Sequence, residues 1–301
     1  MVVLSFLSFS SIASADLQSL LIREGIRRDL GLELRPRIDS KITKSWNEKN
    51  RDYVELELTV QGSNLEPARL LLSGPLGFIT SDTKRPTLFI SAGLLSGMKS
   101  ITLINSPPEW VLVGYEYPSR PDDIVRDPSL LPKSVRQTPG QLLVSLLWLQ
   151  SQQWNLQDHF IIMGVSLGSV FLPVSLTLAQ DAGVFVPRTI FAFGGAEIGN
   201  IFFNFLQDKV PPDTALGIGN VVEGLMTPYR PELHLPELKG QFLVIRGNQD
   251  TVFPDSSRSR LEQLLPEPKK IAPLNAPHID PNQTALIQQT VEIIQSWIQQ
   301  N

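Results

Sequence analysis

Ser166 stands in Gly164-Val165-Ser166-Leu167-Gly168, a Gly-x-Ser-x-Gly pattern. A serine hydroxyl is a poor nucleophile at neutral pH. It needs a base within hydrogen-bond reach, and the base needs an orienting carboxylate. The chain has three histidines, so the candidate bases are few. His159 opens the strand that leads to Ser166, at the wrong end of it. His234 sits in a stretch rich in Pro and Leu. His278 follows a predicted last strand and precedes the terminal helix, which makes it the preferred base. Asp250, at the end of Gly247-Asn248-Gln249-Asp250, is the preferred acid, and Glu197 is the alternative. Asp280 is too close to His278 in sequence to orient it easily.

These side chains need a scaffold that brings them to one place. Phe160-Ile161-Ile162-Met163 is an apolar run into the Ser166 turn, and Ser169 to Gln180 is an apolar segment of helical length. Strand, tight glycine turn and helix are the context in which a serine is held clear of a sheet. The flanking glycines remove Cβ atoms that would collide with strand and helix. The helix start brings backbone N–H groups near the hydroxyl, where developing negative charge is stabilised.

Tyr53 to Val60 alternates apolar with polar, as a half-buried antiparallel strand should, and Ala68 to Ser73 reads as its partner. Pro86 to Ser91, Trp110 to Pro118, Thr189 to Phe193, Gln241 to Gly247 and Lys270 to Leu274 read as further strands. Continuous apolar runs among them fit central parallel strands covered on both faces. Thr138-Pro139 predicts a helix start, with leucines at helical spacing behind it. Residues 196–238 interrupt the alternation and read as a small helical cap. Thr284 to Gln300 closes the chain as an amphipathic helix. Strands alternating with helices predict an α/β layer architecture with right-handed crossovers. Loops after parallel strands emerge at the carboxyl edge of the sheet, and Ser166, Asp250 and His278 all lie in such loops.

The chain resembles the α/β-hydrolase superfamily over about residues 53–300, in its elbow, acid turn and histidine loop, and in the order Ser, acid, His. The resemblance implies a mostly parallel sheet with antiparallel N-terminal strands, helices on both faces and a small cap. It also implies an oxyanion hole of two backbone N–H groups. One is Leu167; the other is Leu94, with Gly93 as the alternative. The family often has His-Gly in that loop, where this chain has Ala92-Gly93. Pro173 in the elbow helix is a second departure, expected to kink it or remove one hydrogen bond. The implied chemistry is covalent acyl transfer through Ser166, Asp250 and His278, with no metal or organic cofactor. A carboxylic-ester hydrolase leads. A peptidase or amidase on the same residues, and a catalytically silent binding protein of the same fold, are the alternatives. The implied partner is a small-molecule ester or acyl substrate.

At 301 residues and 42% hydrophobic content the chain can bury a large core. A net charge of −4 with no long basic run argues against nucleic acid as a partner. The chain has no cysteine, which excludes disulfides, thiolate metal sites and a cysteine nucleophile. Met1 to Ser11 is apolar and small, and Ala13-Ser14-Ala15 precedes Asp16. That pattern resembles a signal peptide with an A-x-A cleavage site, predicted to cover residues 1–15. A disordered or surface-packed N-terminal helix is the alternative. Export predicts a secreted or periplasmic protein; an uncleaved N-terminus predicts a cytoplasmic one. No apolar run reaches the length of a membrane span. Residues 16–49 read as an N-terminal extension with a short amphipathic helix closed near Gly31, its charges forming a solvated face. The catalytic domain is predicted over 50–301.

Overall fold

The computed structural model of the chain describes residues 3–93, 95–127, 129–208 and 210–300. Its strands are β1 (Ile38–Glu48), β2 (Arg51–Val60), β3 (Ala68–Pro75), β4 (Arg85–Ser91), β5 (Val111–Glu116), β6 (Asn155–Val165), β7 (Arg188–Ala192), β8 (Gln241–Gly247) and β9 (Lys269–Leu274). They form one open sheet in the order β1-β2-β3-β5-β4-β6-β7-β8-β9. The six strands from β5 onward in that order are mutually parallel. At the other end β1, β2 and β3 pair antiparallel, and β3 joins β5 antiparallel. After β4 the chain goes first to one side, to β5, and then to the other, to β6. The loops after β4 and β6 therefore part at a switch point, where parallel sheets hold their ligands.

The period of two along each strand divides the core between the two faces. Phe160 and Ile162 of β6 belong to one buried cluster, with Val113, Leu142 and Leu172. Ile161 and Met163 belong to the other, with Ile190, Leu243, Ile294 and Trp297. The first face is covered by α1 (Val3–Leu30), α3 (Leu130–Ser151) and α4 (Leu167–Asp181); the second by α9 (Thr284–Gln300) and a 3₁₀ segment at Gly97–Leu103. A short α2 (Pro121–Arg126) precedes α3. Between β7 and β8 lie α5 (Ile198–Leu206), α6 (Pro212–Leu225) and α7 (Pro231–His234), and α8 (Asp255–Leu264) follows β8.

Three expectations are corrected. The sheet begins earlier than Tyr53, because Ile38–Glu48 pairs with β2 from end to end. Its residues are mostly exposed and include Lys41 and Lys44, as suits an edge strand, and this erases the apolar alternation. The charges of α1 are only in part a solvated face: Glu24, Arg28 and Asp29 are exposed, but two arginines are not. Arg23 and Arg27 are buried and bind Asp181 at 2.8 and 3.1 Å, and Arg23 also binds Glu237 at 2.6 Å. The helix read from Thr138-Pro139 instead begins at Leu130, with Pro139 inside it. Pro139 forfeits one backbone bond, yet Val135 on one side of it and Leu142 on the other are both buried, so packing carries the helix through. Pro173 is likewise carried within α4, between the buried Leu172 and Val174.

Candidate active site

Ser166 sits between β6 and α4 with φ 54° and ψ −120°, a strained backbone for a residue with a side chain. Its N–H donates to the Ala192 carbonyl at 3.0 Å, which ties the turn to β7. A Cβ on Gly164 would lie 2.8 Å from the Ser169 Cα, and one on Gly168 would overlap the Ser91 carbonyl oxygen. Glycine at both positions is what lets the turn close against β4 and α4.

The loops after β8 and β9 bring two more side chains to this edge. Ser166 Oγ is 2.9 Å from His278 Nε2, and His278 Nδ1 is 2.8 Å from Asp250 Oδ2. A carboxylate only accepts hydrogen bonds, so Nδ1 carries the proton and Nε2 is left to accept from the serine hydroxyl. The Asp250 side chain has no exposed surface. Its other oxygen accepts from the Val252 and Phe253 N–H groups at 2.8 and 3.0 Å. Asp250 thus also organises the turn into α8. The imidazole stacks on Phe253, with centroids 5.5 Å apart, and meets the edge of Phe193. Arg258 donates to the Asp250 and Phe253 carbonyls at 2.9 and 2.8 Å, holding the acid loop from behind.

The other candidates lie elsewhere. Glu197, the alternative acid, caps α5 in a left-handed conformation; its N–H binds Glu232 and its carboxylate accepts from Asn200 at 3.1 Å. It lines a separate cavity of about 510 Å³ with Glu223, Arg230 and Arg260. His159 is exposed on β6. His234 is fully buried, between the Thr177 hydroxyl and the Pro228 carbonyl. Asp280 accepts from the Asn282 N–H at 2.8 Å.

Leu167 is the first residue of α4, where N–H groups have no intrahelical partner. Leu94 lies outside the described residues. Gly93 runs beside the serine: a Cβ there would stand 3.4 Å from Ser166 Cβ. The buried Tyr117 hydroxyl donates to the Ala92 carbonyl at 2.7 Å and steadies this loop, and burial raises the pKa of its phenol. Phe253, Arg258 and Tyr117 belong to no motif, so nothing in the sequence marks their supporting roles. A cavity of about 870 Å³ opens onto Ser166 and His278. Among the described residues no group of three or more His, Asp or Glu side chains could hold a metal ion, and no helix is long and apolar enough to cross a membrane.

An open, mostly parallel sheet with a serine at the β6–α4 elbow is the α/β-hydrolase fold, and solved structures of that fold match this chain. Acetyl xylan esterase 1 from Thermoanaerobacterium sp. JW/SL YS485 is similar with a TM-score of 0.64 at 13% identity, over 91% of this chain and 92% of that one. The acetyl xylan esterase from Paenibacillus sp. R4 is similar at 0.63 and 12% identity, over 91% and 93%. An acylaminoacyl peptidase is similar at 0.53 and 13% identity, over 85% of this chain and 49% of that one. No protein-family model and no curated protein matches the sequence.

Proposed function

We propose that the chain is a serine hydrolase that cleaves carboxylic esters. The observation that carries this reading is the unbroken hydrogen-bonded series Ser166 Oγ, His278 Nε2, His278 Nδ1 and Asp250 Oδ2 at the mouth of a cavity. Ser166 Oγ attacks the carbonyl carbon as its proton passes to His278 Nε2. The Leu167 N–H and an N–H from the Gly93–Leu94 loop stabilise the oxyanion. His278 then gives its proton to the leaving alcohol oxygen. Water, deprotonated by the same nitrogen, releases the acid and restores Ser166. Asp250 fixes the tautomer and stabilises the imidazolium throughout.

Similarity to acetyl xylan esterases favours ester over amide, and similarity to an acylaminoacyl peptidase supports the amide as the second reading. The test is hydrolysis of p-nitrophenyl butyrate against the matching anilide. Turnover of the ester, lost in Ser166→Ala, is the expected result; faster cleavage of the anilide would favour the second reading.

We also propose that residues 1–15 are an export signal. The support is the sequence pattern: the apolar stretch Met1 to Ser11, then Ala13-Ser14-Ala15 before Asp16. N-terminal sequencing of the mature protein tests this, and an intact Met1 counts against it.

A further inference from the structure

The cavity at Ser166 draws its walls from both faces of the sheet. Val135 of α3, Ile198 of α5 and Val222 of α6 line it and belong to the core on one face. Ile90 of β4, Met163 of β6 and Ile294 of α9 line it and belong to the core on the other. Those two cores are separated by the sheet, and what joins them is its carboxyl edge, where Ser166 and His278 stand. The cavity therefore has two arms. One runs beneath the helices between β7 and β8; the other runs between the sheet and α9. The second arm has room because only a seven-residue 3₁₀ segment, Gly97–Leu103, fills the layer beside α9 after β4.

Hydroxyls also line both arms. Ser134 of α3 and Ser100 of the 3₁₀ segment both line the cavity and are more than nine-tenths buried. Neither hydroxyl has a hydrogen-bond partner among the described residues.

We infer that the substrate is an ester with an extended apolar group on each side of the scissile bond, one group in each arm. This rests on the esterase reading above and adds the substrate class to it. Ester and water give a fatty or similarly apolar acid and an apolar alcohol. A polyhydroxylated alcohol fits less well: isoleucine, valine and methionine outnumber hydroxyls such as those of Ser100, Ser134, Thr138 and Thr290 in the walls, and sugar hydroxyls require polar partners.

The experiment measures kcat/KM on two series. In one, the acyl chain of a p-nitrophenyl ester lengthens; in the other, the alcohol chain of a butyrate ester lengthens. The expected result is a rise of about fourfold per added methylene in both. Val222→Trp fills the first arm and Val291→Trp the second. Each is expected to flatten one series, and the two are expected to flatten different series. Thermal melts report whether the variants fold, and Val222→Leu with Val291→Leu gives a milder pair with the same expected pattern. Preference for the shortest chain in either series overturns the inference, as do two plugs acting on the same series. No hydrolysis in either series, with no loss of the fold, overturns the esterase reading and this inference together.

Discussion

His278 and His234 each bind a hydroxyl through one ring nitrogen and a second polar group through the other. His278 holds Ser166 and the Asp250 carboxylate at 2.9 and 2.8 Å. His234 holds Thr177 and the Pro228 carbonyl at 3.1 and 3.0 Å. The distances barely differ; the second partner and the surroundings do. A carboxylate stabilises an imidazolium that forms opposite it, and a neutral carbonyl does so far less. Ser166 faces a cavity that a substrate can enter, while His234 is sealed against Thr177 of α4. Burial pushes the His234 imidazole down to about 4, against the pull of the Pro228 carbonyl. A histidine next to a hydroxyl is thus fitted for base catalysis only where a buried negative charge and an open face come with it.

The strongest way to break this contrast is to remove each pair in turn. Ser166→Ala and His278→Ala are expected to lower kcat by roughly 10⁵- to 10⁶-fold while the thermal melt holds. His234→Asn is expected to keep kcat at the wild-type level when assayed well below its melting temperature. Next comes the carboxylate. Asp250→Asn is expected to cost on the order of 10⁴ in kcat by favouring the wrong tautomer. Glu197→Gln should leave kcat intact, and a larger loss there than at Asp250 would move the acid to residue 197.

The third effect is on stability and belongs to His234. Its folded pKa of about 4 lies below the ordinary 6.5, so the unfolded chain binds a proton that the folded chain refuses. Stability from this residue is complete above pH 6.5 and is lost as pH falls toward 4. The expected loss is about 3 kcal/mol across that window. Urea titrations at several pH values measure it, and His234→Asn should flatten that part of the profile. The smallest effect sharpens the geometry around His278. Phe253→Leu removes a stacked ring and is expected to lower kcat/KM about fivefold, in line with roughly 1 kcal/mol for such a contact.

The central strands are legible in the sequence because burial on both faces leaves uninterrupted apolar runs, as in β5 and the second half of β6. The meeting of Ser166, Asp250 and His278 at one edge is legible for a related reason: each follows a parallel strand. What escapes is set by partners distant in the chain. Arg23 looks solvated until Asp181 and Glu237, 158 and 214 residues away, are seen to hold it. There burial works against the charged guanidinium, yet the two carboxylates outweigh it and raise its pKa. β1 escapes because an edge strand with solvated faces has no apolar period to read. Phe253 escapes because a ring on a turn announces nothing about the imidazole it will stack on.

Activation of Ser166 by His278 is tested most directly by exposing the folded protein to a fluorophosphonate and measuring its intact mass, followed by peptide mapping. One adduct is predicted, on Ser166, absent in Ser166→Ala and much slower to form in His278→Ala. An unlabelled wild-type protein that melts cooperatively, or an adduct that persists in Ser166→Ala, would contradict it.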